Sequence, residues 1–132
     1  MKMAFAIAER STCLRLNVGA IFAIDGRPLV GGYNGAPSGM PHCTKYDCNP
    51  STPCTKSHHA EANGIAFAAR HGVALNGSSL YVTNSPCKPC AMLLINAGVA
   101  NVYYAIEYRD PSGVDLLKFA GIPTHHYNPE AI

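Results

Sequence analysis

The chain has 132 residues, 48% of them apolar, and a formal net charge of +2 with its histidines neutral. That size suits a single domain, 1–132, whose core needs no covalent staples. No run of Lys or Arg forms a basic stripe and Trp is absent, which counts against a nucleic-acid groove and favours a small substrate, short single-stranded targets aside. The apolar stretch from Met3 to Ala8 is too short for a signal core and runs at once into Glu9 and Arg10. Nothing approaches the roughly 18 apolar residues of a membrane span. A soluble, cytoplasmic protein is expected, and in that compartment thiols stay reduced, which turns attention from disulfides to metal.

The elements follow in chain order. Met3, Ala6, Ile7, Arg10, Cys13 and Leu14 recur at helical spacing and predict a helix over 3–14. Val18 to Ile24 reads as an apolar strand, Asp25-Gly26 as a hairpin turn, and Pro28 to Tyr33 as the return strand. Residues 35–57 carry no period, and a loop this long is usually functional or held by something. HAEANGIAFAARHG, 59–72, predicts a buried helix stopped at Gly72, with Phe67 in the core and Arg70 at a subunit contact or ion pair. SLYVT, 79–83, is a strand. CKPCAMLLINAG, 87–98, is a helix with Cys87, Cys90, Ala91, Leu94 and Ile95 on one stripe, ending at Gly98. NVYYAI, 101–106, is a strand. SGVDLLKFAG, 112–121, is a short helix with Ser112 as cap. IPTHHY reads as a last strand, with His125 and His126 as strand or surface residues. The order α-β-β-α-β-α-β-α-β predicts an α/β fold with a mixed sheet between helices.

Two motifs carry the chemistry. His59-Ala60-Glu61 is followed, 24 residues on, by Pro86-Cys87-Lys88-Pro89-Cys90. This H-x-E…P-C-x-x-C pattern is the signature of zinc deaminases. Cys87 and Cys90 stand at i and i+3, so the first turn of a helix puts both sulfurs on one side, where the dipole favours thiolates. Two thiolates and the His59 imidazole leave a fourth tetrahedral position for water, the mark of a catalytic rather than a structural zinc. Glu61, two residues from His59, faces another direction and is free to move protons. Alone, HAE is an ordinary tripeptide of an Ala-rich helix and CxxC reads equally as a redox pair. Together, each opening a helix, they point to zinc.

With VGAIFAIDGR, GGYNGAPSG, HAEANGI, LYVTNSPCKPC and AGVANVYYAIEY in place, the sequence resembles the cytidine deaminase superfamily, and within it the deoxycytidylate (dCMP) deaminases, from Cys13 to about Tyr108. The resemblance implies a three-layer αβα sandwich with a five-stranded mixed sheet. It implies hydrolysis of dCMP to dUMP and ammonia, feeding thymidylate synthesis, in a homohexamer activated by dCTP and inhibited by dTTP. It implies His59, Cys87 and Cys90 on zinc, Glu61 as proton shuttle, and Asn34 at the deoxyribose. Arg15, Lys56, Ser57 and Tyr108 become phosphate candidates by position, each also readable as an ordinary surface residue. One departure lies inside the motif: the family usually has Ala where this chain has Gly64. Tight packing explains that, and so does a wider base pocket, which leaves 5-methyl- and 5-hydroxymethyl-dCMP, along with dCTP, as alternative substrates. A deaminase of a base in RNA or single-stranded DNA, and a zinc-stabilised binding module without turnover, are the competing classes.

Four cysteines remain: Cys13, Cys43, Cys48 and Cys54. Four thiolates suit a closed structural zinc clipping the long loop to the body. The resemblance implies a second zinc here, as some phage and bacterial members have; their ligand sets vary, which leaves His42 and His58 as alternatives to one of the cysteines. Two disulfides or free thiols are the alternatives.

Overall fold

The computed structural model describes residues 1–49, 51–52 and 54–127. The elements are α1 (Lys2–Ala8), β1 (Gly19–Ile24), β2 (Arg27–Tyr33), α2 (Ala60–His71), β3 (Ser79–Asn84), α3 (Lys88–Ala97), β4 (Asn101–Ile106), α4 (Ser112–Phe119) and β5 (Thr124–His126), in the order expected. The sheet runs β2-β1-β3-β4-β5. β1 is antiparallel to both neighbours, with an irregularity in its register to β2 between Phe22 and Ala23, whereas β3, β4 and β5 are parallel. The hairpin turns at Asp25 and Gly26, both at positive φ as an Asp-Gly turn requires.

Neighbouring glycines on β2 show the layers. A Cβ on Gly31 would meet Ile7 of α1, and one on Gly32 would meet Ala60 and Gly64 of α2. Successive strand residues face opposite sides, so α1 and α2 lie on opposite faces of a three-layer sandwich. Phe22, Leu80, Val82 and Val102 point to the α2 face and are fully buried with Ala91 and Leu94 of α3 and Val114 and Leu117 of α4. The other face carries one short helix, and beyond it Tyr81, Tyr103 and His125 stack across β3, β4 and β5 at centroid spacings of 4.8 Å.

Three expectations need correction. The first helix stops at Ala8, so Cys13 and Leu14 lie beyond it: the N–H groups of Glu9, Arg10 and Ser11 bond three residues back, to Ala6, Ile7 and Ala8, a tightened last turn. Phe67 is not core; it is 52% exposed on the outer side of α2 and packs on His71 at 4.2 Å. α2 is therefore covered on one side only, because its alanines make the sequence look apolar all round without marking a face. Of the two readings of Arg70, the ion pair within the chain is not found among the described residues, and its exposure on α2 is compatible with the subunit contact. Ser112 is the first helical residue, not the cap, which is Pro111.

Candidate active site

Both metal-motif helices begin at the same place. His59 is the N-cap residue of α2 and Cys87 that of α3, each with extended backbone (φ −74°, ψ 157° and φ −74°, ψ 169°). Their side chains therefore leave the chain just before each helix, and Cys90 follows one turn into α3. The His59 Nδ1 atom lies 3.3 Å from Cys87 Sγ and 3.4 Å from Cys90 Sγ. Zinc–sulfur and zinc–nitrogen bonds of about 2.3 and 2.05 Å at a tetrahedral angle put sulfur and nitrogen about 3.5 Å apart. Both nitrogen–sulfur edges thus already match those of a zinc tetrahedron, and the two sulfurs lie within 4.8 Å of each other. Among the described residues His59, Cys87 and Cys90 are the one group of three metal-capable side chains whose ligand atoms fall within 4.8 Å of one another.

Without metal, the sulfurs share a proton. The hydrogen bond from Cys90 holds the Cys87 thiol down at about 4, while Cys90, as the donor in that bond and more deeply buried, is pushed up. His59 is raised by its hydrogen bond with Cys87. Glu61, 4% exposed, stands in the first turn of α2, and burial pushes its carboxyl up to about 7. A carboxyl poised there takes and returns protons readily at neutral pH.

His59, Glu61 and Cys87 line a cavity of about 410 Å³ with Cys13, Arg15, Leu16, Val18, Asn34, Cys54, Ser57, His58, Ala60, Asn84, Ser85 and Tyr108. Of the expected substrate contacts, Asn34, Arg15, Ser57 and Tyr108 reach it. Lys56 does not: it is exposed and paired with Asp47 at 2.9 Å. The Asn34 Oδ1 accepts from the Val18 N–H at 2.8 Å and its Nδ2 donates to the Leu16 carbonyl at 2.7 Å. One lone pair and one N–H of the amide stay available. Ser57 Oγ is buried without a geometrically sound hydrogen bond among the described residues, its one polar neighbour being the Cys54 thiol, and a weakly held hydroxyl in a nucleotide-sized cavity is what a ligand satisfies. The Tyr108 N–H is fixed by Ser85 Oγ at 2.6 Å.

The entry to α2 is held by backbone. The Gly35 N–H donates to the His58 carbonyl at 3.2 Å and the His58 N–H to the Gly35 carbonyl at 2.8 Å, an antiparallel bridge that closes the long loop next to the metal ligand. Within that loop all the cysteines, like Cys13, Cys87 and Cys90, are free thiols. The Arg15 side chain donates to Cys48 Sγ at 3.4 Å and to the Asn49 carbonyl, and its backbone N–H to Cys13 Sγ at 3.5 Å. The guanidinium stands beside Cys48, and among the described residues no three of Cys13, Cys43, Cys48 and Cys54 bring their sulfurs within 4.8 Å of one another.

Gly64 also finds its reason. A Cβ there would approach the Phe22 ring to 2.7 Å, and Gly64 is not in the cavity wall. Its small size serves the contact of α2 with the sheet and says nothing of the base's C5 substituent. Sequence reasoning missed Leu16, Val18, Asn84 and Ser85, and placed His58 only as an alternative ligand of the second zinc. For Asn84 and Ser85 the signal was their position at the carboxyl end of a parallel strand, where α/β sheets place their sites.

Residues 1–106 match the family described as the cytidine and deoxycytidylate deaminase zinc-binding region. The chain belongs to that family. It is a zinc-dependent deaminase, and His59, Cys87 and Cys90 are the residues fit to hold the metal. It is 40% identical over 124 residues to ComE operon protein 2 of Bacillus subtilis, covering 92% of this chain and 66% of that protein. It is 28% identical over 163 residues to the deoxycytidylate deaminase of Enterobacteria phage T4, covering 92% and 84%. The crystal structure of the cyanophage S-TIM5 dCMP deaminase in complex with dCMP and dUMP superposes with a TM-score of 0.87 at 35% identity, covering 96% of this chain and 92% of that one.

Proposed function

We propose that this deaminase hydrolyses dCMP to dUMP and ammonia in the cytoplasm, supplying the precursor of thymidylate. The observation that carries the reading is the buried Glu61 carboxyl beside the His59, Cys87 and Cys90 triad, in a cavity that also holds Arg15, Ser57, Asn34 and Tyr108. The 0.87 superposition on a dCMP deaminase crystallised with dCMP and dUMP supports it. Zinc, when bound, acts as a Lewis acid that lowers the pKa of water toward about 7. Glu61 takes a proton from the water that attacks C4, delivers it to N3 of the base, and later passes a proton to the departing amino group. The enzyme ends the cycle with its own protons unchanged: water and dCMP go in, dUMP and ammonia leave. Asn34 offers its spare lone pair and N–H to the deoxyribose. Arg15, the cation of the cavity, meets the phosphate with Ser57 Oγ and Tyr108.

The same reading carries a homohexamer, regulation by dCTP and dTTP, and a second zinc at Cys13, Cys43, Cys48 and Cys54, for which Arg15 would have to leave the thiols. The test of the activity is ammonia release from a panel of dCMP, dCTP, 5-methyl- and 5-hydroxymethyl-dCMP, deoxycytidine and short single-stranded oligonucleotides, with and without dCTP and dTTP. Preference for dCMP is expected. Tight oligonucleotide binding at low salt with no dCMP turnover would overturn it in favour of nucleic-acid deamination. Turnover by Glu61→Gln at the parent rate would overturn the proton route.

A further inference from the structure

We propose that Asn63 is a positioning residue: its side-chain amide ties the first turn of α2, which carries Glu61, to the end of β2, which leads into Asn34. The tie fixes where the proton-moving carboxyl stands relative to a nucleotide held from the strand side. The proposal rests on the reading of Glu61 as the proton shuttle of a cytosine-nucleotide deaminase. Three observations carry it.

First, the bond crosses from strand to helix at the site itself. The Tyr33 N–H donates to Asn63 Oδ1 at 3.2 Å. Tyr33 is the last residue of β2, and Asn63 is the fourth residue of α2, its own N–H bonded to the His59 carbonyl at 2.9 Å. One residue past Tyr33 stands Asn34, and two residues before Asn63 stands Glu61, both in the cavity wall.

Second, the amide answers a donor that the sheet leaves unpaired. β2 is an edge strand whose one neighbour is β1. The Asn34 N–H points toward β1, where the Val18 carbonyl accepts it at 3.3 Å. Successive N–H groups of a strand point to opposite sides, so that of Tyr33 points off the edge, where no strand can accept it. Asn63 takes the place of the missing strand. Because Tyr33 offers a donor, the amide oxygen and not the amino group must face it.

Third, the neighbouring contacts leave this task to Asn63. The paired bonds of Gly35 and His58 hold the chain just before α2. The Gly32 backbone limits how closely the first turn can approach the strand. Neither draws the turn toward the end of β2 once the chain is past His59, and the Asn63 bond does. Asn63 is half-buried, within reach of water. Water can satisfy the Tyr33 N–H in its place, so the bond adds little to stability and supplies direction instead.

The experiment measures kcat and KM for dCMP in zinc-loaded wild type, Asn63→Leu and Asn63→Asp, with zinc content and thermal midpoint as folding controls. Leu has nearly the shape of Asn without an acceptor. Asp keeps the acceptor, and its charge suits the start of a helix. A misplacement of about 1 Å costs about 100-fold in rate, and a turn loosened rather than displaced should cost Asn63→Leu about tenfold in kcat. Its KM should stay within about twofold, because Asn34 is held by Val18 and Leu16 and not through Asn63. Asn63→Asp should keep kcat within about threefold of wild type. Parental kcat in Asn63→Leu, a loss in KM with kcat unchanged, or a fall in Asn63→Asp as deep as in Asn63→Leu overturns the assignment. Asn63→Ala carries the same comparison if the leucine variant does not fold. Should wild type fail to turn over dCMP, the function reading fails by itself; the same comparison on whichever cytosine nucleotide is turned over still decides the role of Asn63.

Discussion

Replacing Gly32 by Ala tests how the sheet positions the site. The added Cβ would sit 2.2 Å from the Ala60 carbonyl oxygen, 2.7 Å from the Gly64 nitrogen and 3.0 Å from its Cα. A carbon and a carbonyl oxygen rest at about 3.3 Å, so the first turn of α2 must withdraw by about 1 Å. The atoms in the way are backbone and cannot rotate aside. Overpacking of this kind costs about 1–3 kcal/mol, and here the upper end is expected. The displaced turn carries Glu61 and adjoins His59, and a shift of about 1 Å in a catalytic group costs about 100-fold in rate. Urea unfolding and steady-state ammonia release on the zinc-loaded protein read the two effects together. Gly39→Ala is the control: it meets nothing within 4 Å but sits at φ +82°, so it should cost about 1–2 kcal/mol without touching the rate. A Gly32→Ala variant with parental stability and kcat/KM would refute the idea that this contact sets the position of α2.

Four further outcomes are expected. Glu61→Gln should retain zinc and lose turnover, read by metal analysis beside ammonia release. In chelator-treated protein, Glu61 makes stability depend on pH. Its carboxyl holds its proton to about 7 when folded against an ordinary 4.5, so the stability it contributes is complete below about 4.5 and is lost as pH rises through 7. The full difference is about 3 kcal/mol, and the change in urea unfolding free energy between pH 5 and pH 8 should be smaller in Glu61→Gln than in parent by about 2.5 kcal/mol. Ser57→Ala should leave the unliganded protein as stable or up to about 1 kcal/mol more stable, since it removes a weakly held hydroxyl, yet raise KM for dCMP. Removing zinc with a chelator should abolish activity and lower the thermal midpoint, because the ligand set forms only in the folded chain; Cys90→Ser should do the same without chelator.

Much of this was legible in the sequence because it is local. Spacing of i and i+3 put Cys87 and Cys90 together, and Gly72 and Gly98 stop their helices in the left-handed conformation at φ 69° and 80°. What was not legible depends on partners distant in the chain. Phe67 looked like core because hydrophobicity carries no direction on an Ala-rich helix. Gly64 allowed a pocket reading until Phe22 appeared against it. Lys56 had the right charge and neighbourhood in sequence, but Asp47, across the loop, claims it. Cys13 and the three loop cysteines are likewise undecided by count, since four sulfurs say nothing of the arginine beside Cys48.

The paired hydrogen bonds between Gly35 and His58 act as a drawstring on everything between them. Lengthening a loop already tied at its neck adds little closure entropy, about 0.6 kcal/mol per doubling. Insertions, deletions or a grafted peptide in that purse should therefore leave the imidazole next door where it is. Regulation, partner choice or metal content can be rewritten in the segment while the chemistry at its mouth stays the same.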